Sequence, residues 1–211
     1  MQSLRLRANC AEAYPPSRTL STPTRSSCRG IGWGRGSARG GRPLATLVER
    51  LAAAEIGDTF NQYRDERLAQ RLARYLDQRA ASRLLLVGEA AGYRGARVSG
   101  IPFTSERQLT STGPAEATAT IVHRVLAELE LEESVLLWNA VPTHPGTTCS
   151  NRPPTRAEVT AGLPFAHELA RGRRVLAVGR VAEAALGAPY VRHPSRGGAA
   201  AFRESLRACL T

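Results

Sequence analysis

The segment RLLLVGEAAGYRG, residues 83–95, decides the fold, because it joins a short apolar run to a glycine-rich turn. Short runs rich in Leu and Val are typical of strands that are buried on both faces, as in parallel sheets. Three more such runs follow along the chain: SVLLWN (134–139), RRVLAVG (173–179) and PYVRH (189–193). The sequence therefore predicts four strands of one buried sheet.

Amphipathic segments precede and separate these runs. LATLVERLAAAE (44–55) and RDERLAQRLARYLDQRAA (64–81) lie before the first, and AEATATIVHRVLAELEL (115–131) and TRAEVTAGLPFAHELARG (155–172) separate later ones. The β-α-β alternation predicts an α/β protein, a three-layer α/β/α sandwich around a central four-stranded parallel sheet. Ligands of such sheets bind outside the carboxyl ends of the strands.

The positive charge is concentrated at the N-terminus. Residues 1–43 are rich in Arg, Ser, Gly and Pro without apolar periodicity, which predicts a disordered tail before one domain at 44–211. The tail holds eight Arg and one Glu, so it carries +7 of the net charge of +11 and leaves +4 for the domain. The tail is either an electrostatic tether for DNA or an extension without a role, even a misassigned start. Charge alone favours a nucleic-acid partner only weakly.

The cysteines and the hydropathy pattern exclude several classes of protein. Cys10, Cys28, Cys149 and Cys209 lie far apart, without the CxxC pairs of zinc or iron–sulfur sites, so we expect free thiols and no metal. No apolar run approaches the roughly 20 residues of a membrane span, and no signal peptide is recognisable. We expect a cytoplasmic protein with no membrane partner.

Three polar clusters follow predicted strands. The first is GEAAGYRG (88–95), and GIPF (100–103) lies just beyond it; the second is WNAVPTHP (138–145) with SNRPPTRAE (150–158). Thr155 and Glu158 have the spacing of a capping box, so a helix should begin there. The third cluster is VRHPSRGG (191–198). All three are expected at one edge of the sheet.

Together the clusters resemble the motifs of the uracil-DNA glycosylase superfamily over residues 44–211. GEAAG, GIPF and NRPPTRAE are most similar to the GEAPG, GRPF and NRxPxxxE segments of its iron–sulfur branch. The cluster cysteines of that branch have no counterparts, since Cys149 is displaced and Gly162 stands where a ligand is expected. The resemblance therefore implies the superfamily's fold and a DNA partner, without a metal or other cofactor.

The resemblance implies roles for three residues around an extruded base. Phe103 would stack on the base; otherwise it is an ordinary core aromatic. Asn139 would read uracil, because one carboxamide can donate to O4 and accept from N3–H; the alternative is a turn residue at a strand end. His193 would donate to uracil O2 as negative charge develops there, or else be a surface histidine without a catalytic role.

The Gly-rich motif, with Gly88 and Ala90 beside the base, departs from well-known relatives. The classical branch has a carboxylate at the position of Ala90, so activation of water falls to the neighbouring Glu89, which could instead bond backbone amides and shape the pocket. Ala91 replaces a proline, which makes the loop less rigid. The Tyr93 side chain would form a wall of the pocket that excludes the C5 methyl group of thymine. The alternative is that it only packs within the loop.

The last cluster would meet DNA. The resemblance implies that four residues enter the minor groove and hold phosphates, with the arginine as a possible wedge: Ser195, Arg196, Gly197 and Gly198. The alternative is a turn that starts a helix. His144 could touch the phosphate backbone, whereas His123 and His167 lie in helical stretches and are expected to be structural.

The sequence thus predicts a monofunctional DNA glycosylase that cuts the bond between uracil and deoxyribose. All 29 basic residues are Arg, so no lysine is present to form the Schiff base of a strand-nicking lyase. Two alternatives stay open: a protein that binds damaged DNA or nucleobases without catalysis, and a glycosylase for hypoxanthine or xanthine. We expect a monomer.

Overall fold

A computed structural model describes residues 42–211 of the chain. The predicted tail 1–43 lies outside this described range except for its last two residues. Cys10 and Cys28 therefore also lie outside it. The helices within it are α1 (Arg42–Ala53), α2 (Glu66–Gln78), α3 (Ala96–Ser99), α4 (Glu106–Thr110), α5 (Ala117–Glu128), α6 (Arg156–Ala170), α7 (Arg180–Leu186) and α8 (Ala199–Leu210). Its strands are β1 (Thr59–Phe60), β2 (Leu84–Ala90), β3 (Val135–Val141), β4 (His144–Thr147), β5 (Ser150–Asn151), β6 (Arg174–Val178) and β7 (Tyr190–Val191).

The central sheet confirms the predicted architecture. Its strand order is β3-β2-β6-β7, and every neighbouring pair is parallel. All four predicted runs form strands of this sheet. In the register of β2 and β3, Gly88 lies opposite Asn139, so two predicted site residues are neighbours by strand pairing.

Helices flank the sheet, as the amphipathic patterns predict. Helix α6 packs against β3, and α7 packs against β6 and α6. The apolar patterns did not predict α7 or α8, which lie near the C-terminus. The largest completely buried side chains include Trp138, Tyr63, Phe202, Leu85, Leu86 and Leu136. None of the helices in the described range is long and apolar enough to cross a membrane.

A second, antiparallel sheet, in the order β1-β4-β5, was not predicted. Phe60 of β1 pairs with His144, and Gly146 of β4 pairs with Asn151. The tight approach of β4 to β5 leaves no room for a side chain at Gly146, where a Cβ would lie 2.4 Å from the Ser150 carbonyl oxygen. This small sheet places His144 and Asn151 beside the loop that follows β2.

Helix α6 begins at the predicted capping box. The Thr155 hydroxyl accepts a hydrogen bond from the Glu158 amide at 3.2 Å, and the Glu158 carboxylate accepts one from the Thr155 amide at 2.8 Å. Arg152 also forms two charge-assisted hydrogen bonds with Glu158, at 2.6 and 2.8 Å. Because Arg152 donates these hydrogen bonds, the pKa of Glu158 falls to about 2. The NRPPTRAE segment is therefore fixed to the start of α6 by an ion pair in which the carboxylate is buried and the guanidinium is partly exposed.

Candidate active site

A cleft of about 580 Å³ opens at the carboxyl edge of the central sheet. Residues at or after the ends of β2, β3, β6 and β7 all line it, as expected for a parallel sheet. The lining residues are Glu89, Ala90, Ala91, Gly92, Phe103, Glu116, Thr118, Asn139, Pro145, Asn151, Arg152, Pro153, Gly179, Arg180, Arg192, His193, Ser195 and Arg196. The cleft thus joins all three polar clusters of the sequence.

Gly88, Phe103 and Asn139 form one contiguous surface. A Cβ atom on Gly88 would lie 2.3 Å from Phe103 Cζ and 3.0 Å from Asn139 Oδ1, so only glycine allows both side chains to approach. Asn139 is 3% exposed, yet its carboxamide makes no hydrogen bond with any other residue of 42–211. Buried amides are nearly always hydrogen-bonded, so this one is available for a ligand.

The backbone of Phe103 is strained and firmly supported. Its φ of 55° lies in the left-handed region, which non-glycine residues seldom adopt and which costs on the order of 1 kcal/mol. The buried Ser99 hydroxyl donates to the Thr104 carbonyl at 2.6 Å, and the Tyr63 hydroxyl donates to the Gly100 carbonyl at 3.2 Å. These bonds fix the loop that carries the ring.

The predicted structural role of His123 fits this arrangement. One ring nitrogen of His123 bonds the Thr104 hydroxyl at 3.0 Å and the other bonds Glu132, behind the Phe103 loop. His167, the other histidine expected to be structural, is exposed on α6. Neither histidine lines the cleft.

The turn after β7 sets the tautomer of His193. The Ser195 amide donates to His193 Nδ1 at 3.2 Å, and Ser195 Oγ lies 2.9 Å from the same nitrogen. Because an amide can only donate, Nδ1 is an acceptor and the proton of the neutral ring is on Nε2. Burial lowers the pKa of His193, and the charge of Arg192 lowers it further. A neutral imidazole with an Nε2–H donor therefore lines the cleft.

Two carboxyl groups line the cleft, Glu89 and Glu116. Neither side chain makes a hydrogen bond or ion pair with another residue in the described part of the chain. Burial raises the pKa of both carboxyls. Since Glu89 does not bond backbone amides here, the pocket-shaping alternative for this residue has no contact to support it.

The loop after β2 is held from outside by the small antiparallel sheet. His144 is buried, with its two ring nitrogens 2.7 Å from the Ala91 carbonyl oxygen and 2.8 Å from that of Thr147. Both ring nitrogens thus contact carbonyl oxygens of the protein, which leaves neither nitrogen free for the predicted contact with the phosphate backbone of DNA. The Asn151 side chain accepts a hydrogen bond from the Tyr93 amide at 2.9 Å. These contacts compensate for the missing proline at Ala91.

Tyr93 does not line the cleft. Its ring lies instead under the Arg94 guanidinium, whose central carbon is 5.4 Å from the ring centroid. The predicted steric wall is therefore not supplied by this side chain, which packs with Arg94.

The four residues predicted to meet DNA divide into two pairs. Ser195 and Gly198 shape the turn itself: Ser195 bonds His193, and a Cβ on Gly198 would lie 2.6 Å from the His193 carbonyl oxygen. Arg196 and Gly197 are exposed at the tip, with left-handed φ values of 53° and 75°. Arg196 and Gly197 are thus the exposed pair, whereas Ser195 is half-buried in the cleft lining and Gly198 is buried.

Arginines dominate the charge of the cleft lining. The guanidinium groups come from Arg152, Arg180, Arg192 and Arg196, against the two glutamates. Such an excess of positive charge favours a phosphate backbone at the rim. Sequence reasoning assigned a role to only one of these arginines, and it also missed Glu116 and Asn151. VRHPS contained a signal for Arg192, because that residue adjoins the predicted catalytic histidine.

The residues present do not fit a metal cluster. Within 42–211 no group of three or more His, Cys, Asp or Glu side chains is arranged to hold an ion. Cys149 is exposed in the loop between β4 and β5. At Gly162, a Cβ would lie 2.2 Å from the Ala140 carbonyl oxygen, so this glycine lets α6 pack directly on β3.

Comparisons with known proteins agree with the fold. A family model described as the uracil DNA glycosylase superfamily matches residues 76–207. The crystal structure of wild-type SMUG2 from Pedobacter heparinus is similar, with a TM-score of 0.57 at 13% identity, covering 79% of this chain and 96% of that chain. No curated protein matches significantly.

The parallel sheet with its cleft at the carboxyl edge and the match to the family model together indicate the class of protein. The family model covers more than half of the chain. The chain belongs to the uracil DNA glycosylase superfamily. Its resemblance to the iron–sulfur branch in particular stays a prediction.

Proposed function

We propose that this protein is a monofunctional glycosylase that hydrolyses the N-glycosidic bond of uracil in DNA, acting as a monomer without a cofactor. The observation that carries the proposal is the buried Asn139 carboxamide, which has no hydrogen-bond partner among residues 42–211 and lies against Phe103 and Gly88. A flipped uracil supplies what this amide lacks, one acceptor and one donor side by side. Cytosine presents the opposite polarity and would leave both contacts unsatisfied.

The leaving group is stabilised by His193. As the glycosidic bond breaks, the sugar becomes oxocarbenium-like and negative charge develops on the departing base. A neutral imidazole with its proton on Nε2 donates a hydrogen bond to uracil O2 as this charge develops. The Ser195 amide keeps Nδ1 as an acceptor and so preserves this orientation.

Glu89 positions the attacking water. It immediately follows Gly88, lines the same cleft as His193, and has carboxylate oxygens that no described residue engages. Ala90 cannot serve as a base, so the water must be held by a neighbour. The ionised carboxylate orients one water towards C1′ and accepts a proton from it as the new C1′–O bond forms and the C1′–N1 bond breaks. Uracil leaves as the N1 anion with the bonding electron pair and gains a proton from solvent, while Glu89 returns its proton to solvent.

Base release from defined oligonucleotides tests the proposal. Enzyme in excess is incubated with single- and double-stranded DNA containing one uracil, and alkali then converts each abasic site into a strand break. We expect breaks at uracil only after alkali, because a chain without lysine should not nick DNA itself. Parallel substrates with hypoxanthine or xanthine decide whether another deaminated base is preferred.

The alternative is a protein that binds damaged DNA on the same fold without cutting it. Ala90 favours this alternative, since it replaces the carboxylate of the classical branch. No strand break on any substrate, together with preferential binding of uracil-containing DNA, would establish the binder and reject the enzyme.

A further inference from the structure

A site that reads uracil through Asn139 and His193 faces a second problem, because thymine offers the same O2, N3 and O4 atoms. Thymine differs only by a methyl group on C5, and it is a normal base of DNA. The two side chains that read polar atoms therefore cannot reject it. Some other group must close the cleft beside the C5 edge.

The Glu116 carboxyl occupies the space that a side chain on the Gly-rich loop would otherwise fill. A Cβ on Gly92 would lie 1.9 Å from Glu116 Oε1, and a Cβ on Gly95 would lie 2.1 Å from Glu116 Oε2. Both carboxyl oxygens thus lie against the glycine backbone while the residue lines the cleft. The carboxyl fills space that these two glycines leave open.

The backbone behind this carboxyl is fixed. The Gly95 amide donates to the Gly92 carbonyl at 3.1 Å, which closes the turn on itself. His144 bonds the Ala91 carbonyl, and Asn151 bonds the Tyr93 amide, so the loop is also fixed on both sides of Gly92. A group pressed against Glu116 cannot push the loop away.

We propose that Glu116 is the specificity-determining wall that excludes thymine, and this inference rests on the proposed uracil-excising function. Asn139 takes the N3 and O4 edge and His193 takes O2, so the C5–C6 edge faces another part of the lining, which the proposal assigns to the loop at 90–92 with Glu116 against it. A polarised C5–H donates a weak C–H···O contact to a carboxyl oxygen. A C5 methyl would collide with that oxygen instead.

The electrostatics of Glu116 are compatible with this position. A charged carboxylate beside the departing uracil anion would oppose bond cleavage. Burial raises the pKa of Glu116, which favours the neutral form and weakens that repulsion. The titratable and charged groups that share the cleft with this carboxyl are Glu89, Arg152, Arg180, Arg192, His193 and Arg196.

Substitution of Glu116 separates discrimination from catalysis. Single-turnover release of uracil and of thymine, each opposite guanine in the same duplex, is compared for the wild type, Glu116→Ala and the exposed control Glu204→Ala. We expect Glu116→Ala to release thymine about tenfold faster or more than the wild type, as removal of a steric wall allows. Uracil release should stay near the wild-type rate in Glu204→Ala, and in Glu116→Ala the ratio of thymine release to uracil release should rise by about tenfold or more.

Refilling the space provides a second test. In the Glu116→Ala background, Gly92→Ala places a methyl group where the carboxyl oxygen stood, and Gly92 has no left-handed φ to forbid alanine. Thymine release should then fall back towards the wild-type rate. A double variant that still releases thymine as fast as Glu116→Ala contradicts a wall at this place.

Two results would overturn the proposal directly: no gain of thymine release in Glu116→Ala, or a loss of uracil release as large as that of a catalytic variant. If the wild type releases neither base, the glycosylase proposal itself fails. The wall is then tested by equilibrium binding of the same duplexes. Glu116→Ala must lose the preference for uracil over thymine, and an unchanged preference rejects the wall.

Discussion

The chemistry of the cleft depends on which nitrogen of His193 carries its proton. With Nδ1 accepting from the Ser195 amide, the donor is Nε2–H. We expect His193→Ala to lower the single-turnover rate of uracil release by about ten- to a thousandfold, the range for a lost transition-state donor. The exposed His167→Ala is the matched control. A wild-type rate in His193→Ala would remove this residue from the mechanism.

Gly88 has a steric role that a single methyl group can test. In Gly88→Ala the new Cβ would lie 2.3 Å from Phe103 Cζ, so the ring must leave its position over the strand. We expect uracil release to fall about tenfold or more, because a displaced stacking platform weakens binding of the flipped base. Quenched-flow rates measure the loss, and an unchanged circular dichroism spectrum would show that the fold persists. Full activity would exclude the stacking role of Phe103.

Some site residues were predictable from sequence and others were not. Phe103, Asn139 and His193 stand in short motifs directly after or near strand ends, and the parallel sheet brings those ends together. Glu116 carries no such local signal, because its place depends on how the start of α5 docks on a loop some 20 residues earlier. The side chain of Tyr93 turns out of the cleft to Arg94, a direction that the sequence does not encode locally.

At the scale of elements, the ion pair between Arg152 and Glu158 fixes one wall of the cleft to α6. The Glu158 side chain is 2% exposed, so removal of Arg152 leaves a buried carboxylate unpaired. We expect Arg152→Ala to lower the free energy of unfolding by about 3 kcal/mol at pH 7, measured by urea titration. The exposed Arg156→Ala, four residues on, should change it by less than about 0.5 kcal/mol.

The same pair gives a pH dependence of definite sign. Arg152 lowers the pKa of Glu158 from 4.5 to about 2 in the folded protein. Its stabilisation is therefore complete above the ordinary carboxyl pKa and is lost as the pH falls towards 2. The difference between wild type and Arg152→Ala should shrink over this acidic range. A difference that stays constant down to pH 2 would contradict the assigned pair.

The central strands and the long helices were predictable because their apolar runs and helical periodicities are continuous. The small sheet β1-β4-β5 was not, since its strands span only two to four residues, and His144–Thr147 includes a proline. Its pairing depends on contacts between Thr59–Phe60 and a segment more than 80 residues later. Such short strands acquire their structure from tertiary contacts and carry little local pattern.

At the scale of the whole molecule, the cleft residues described above all belong to the range that the structure describes, 42–211. Deletion of residues 1–41, with seven Arg and one Glu, should therefore leave the rate at saturating enzyme unchanged. The salt dependence of DNA binding decides between a tether and an inert extension, since lost phosphate contacts make the slope shallower. A slower chemical step in the deletion variant would show that the N-terminal segment takes part in the site.

The central claim is that the cleft recognises an extruded base through Asn139, and a change of that residue tests it most directly. Aspartate presents two acceptors when ionised, or a donor and an acceptor when protonated, so it can be matched to the amino group of cytosine. Single-turnover release of both bases should show loss of uracil excision and gain of cytosine excision in Asn139→Asp. An unchanged preference for uracil at the wild-type rate would contradict the account.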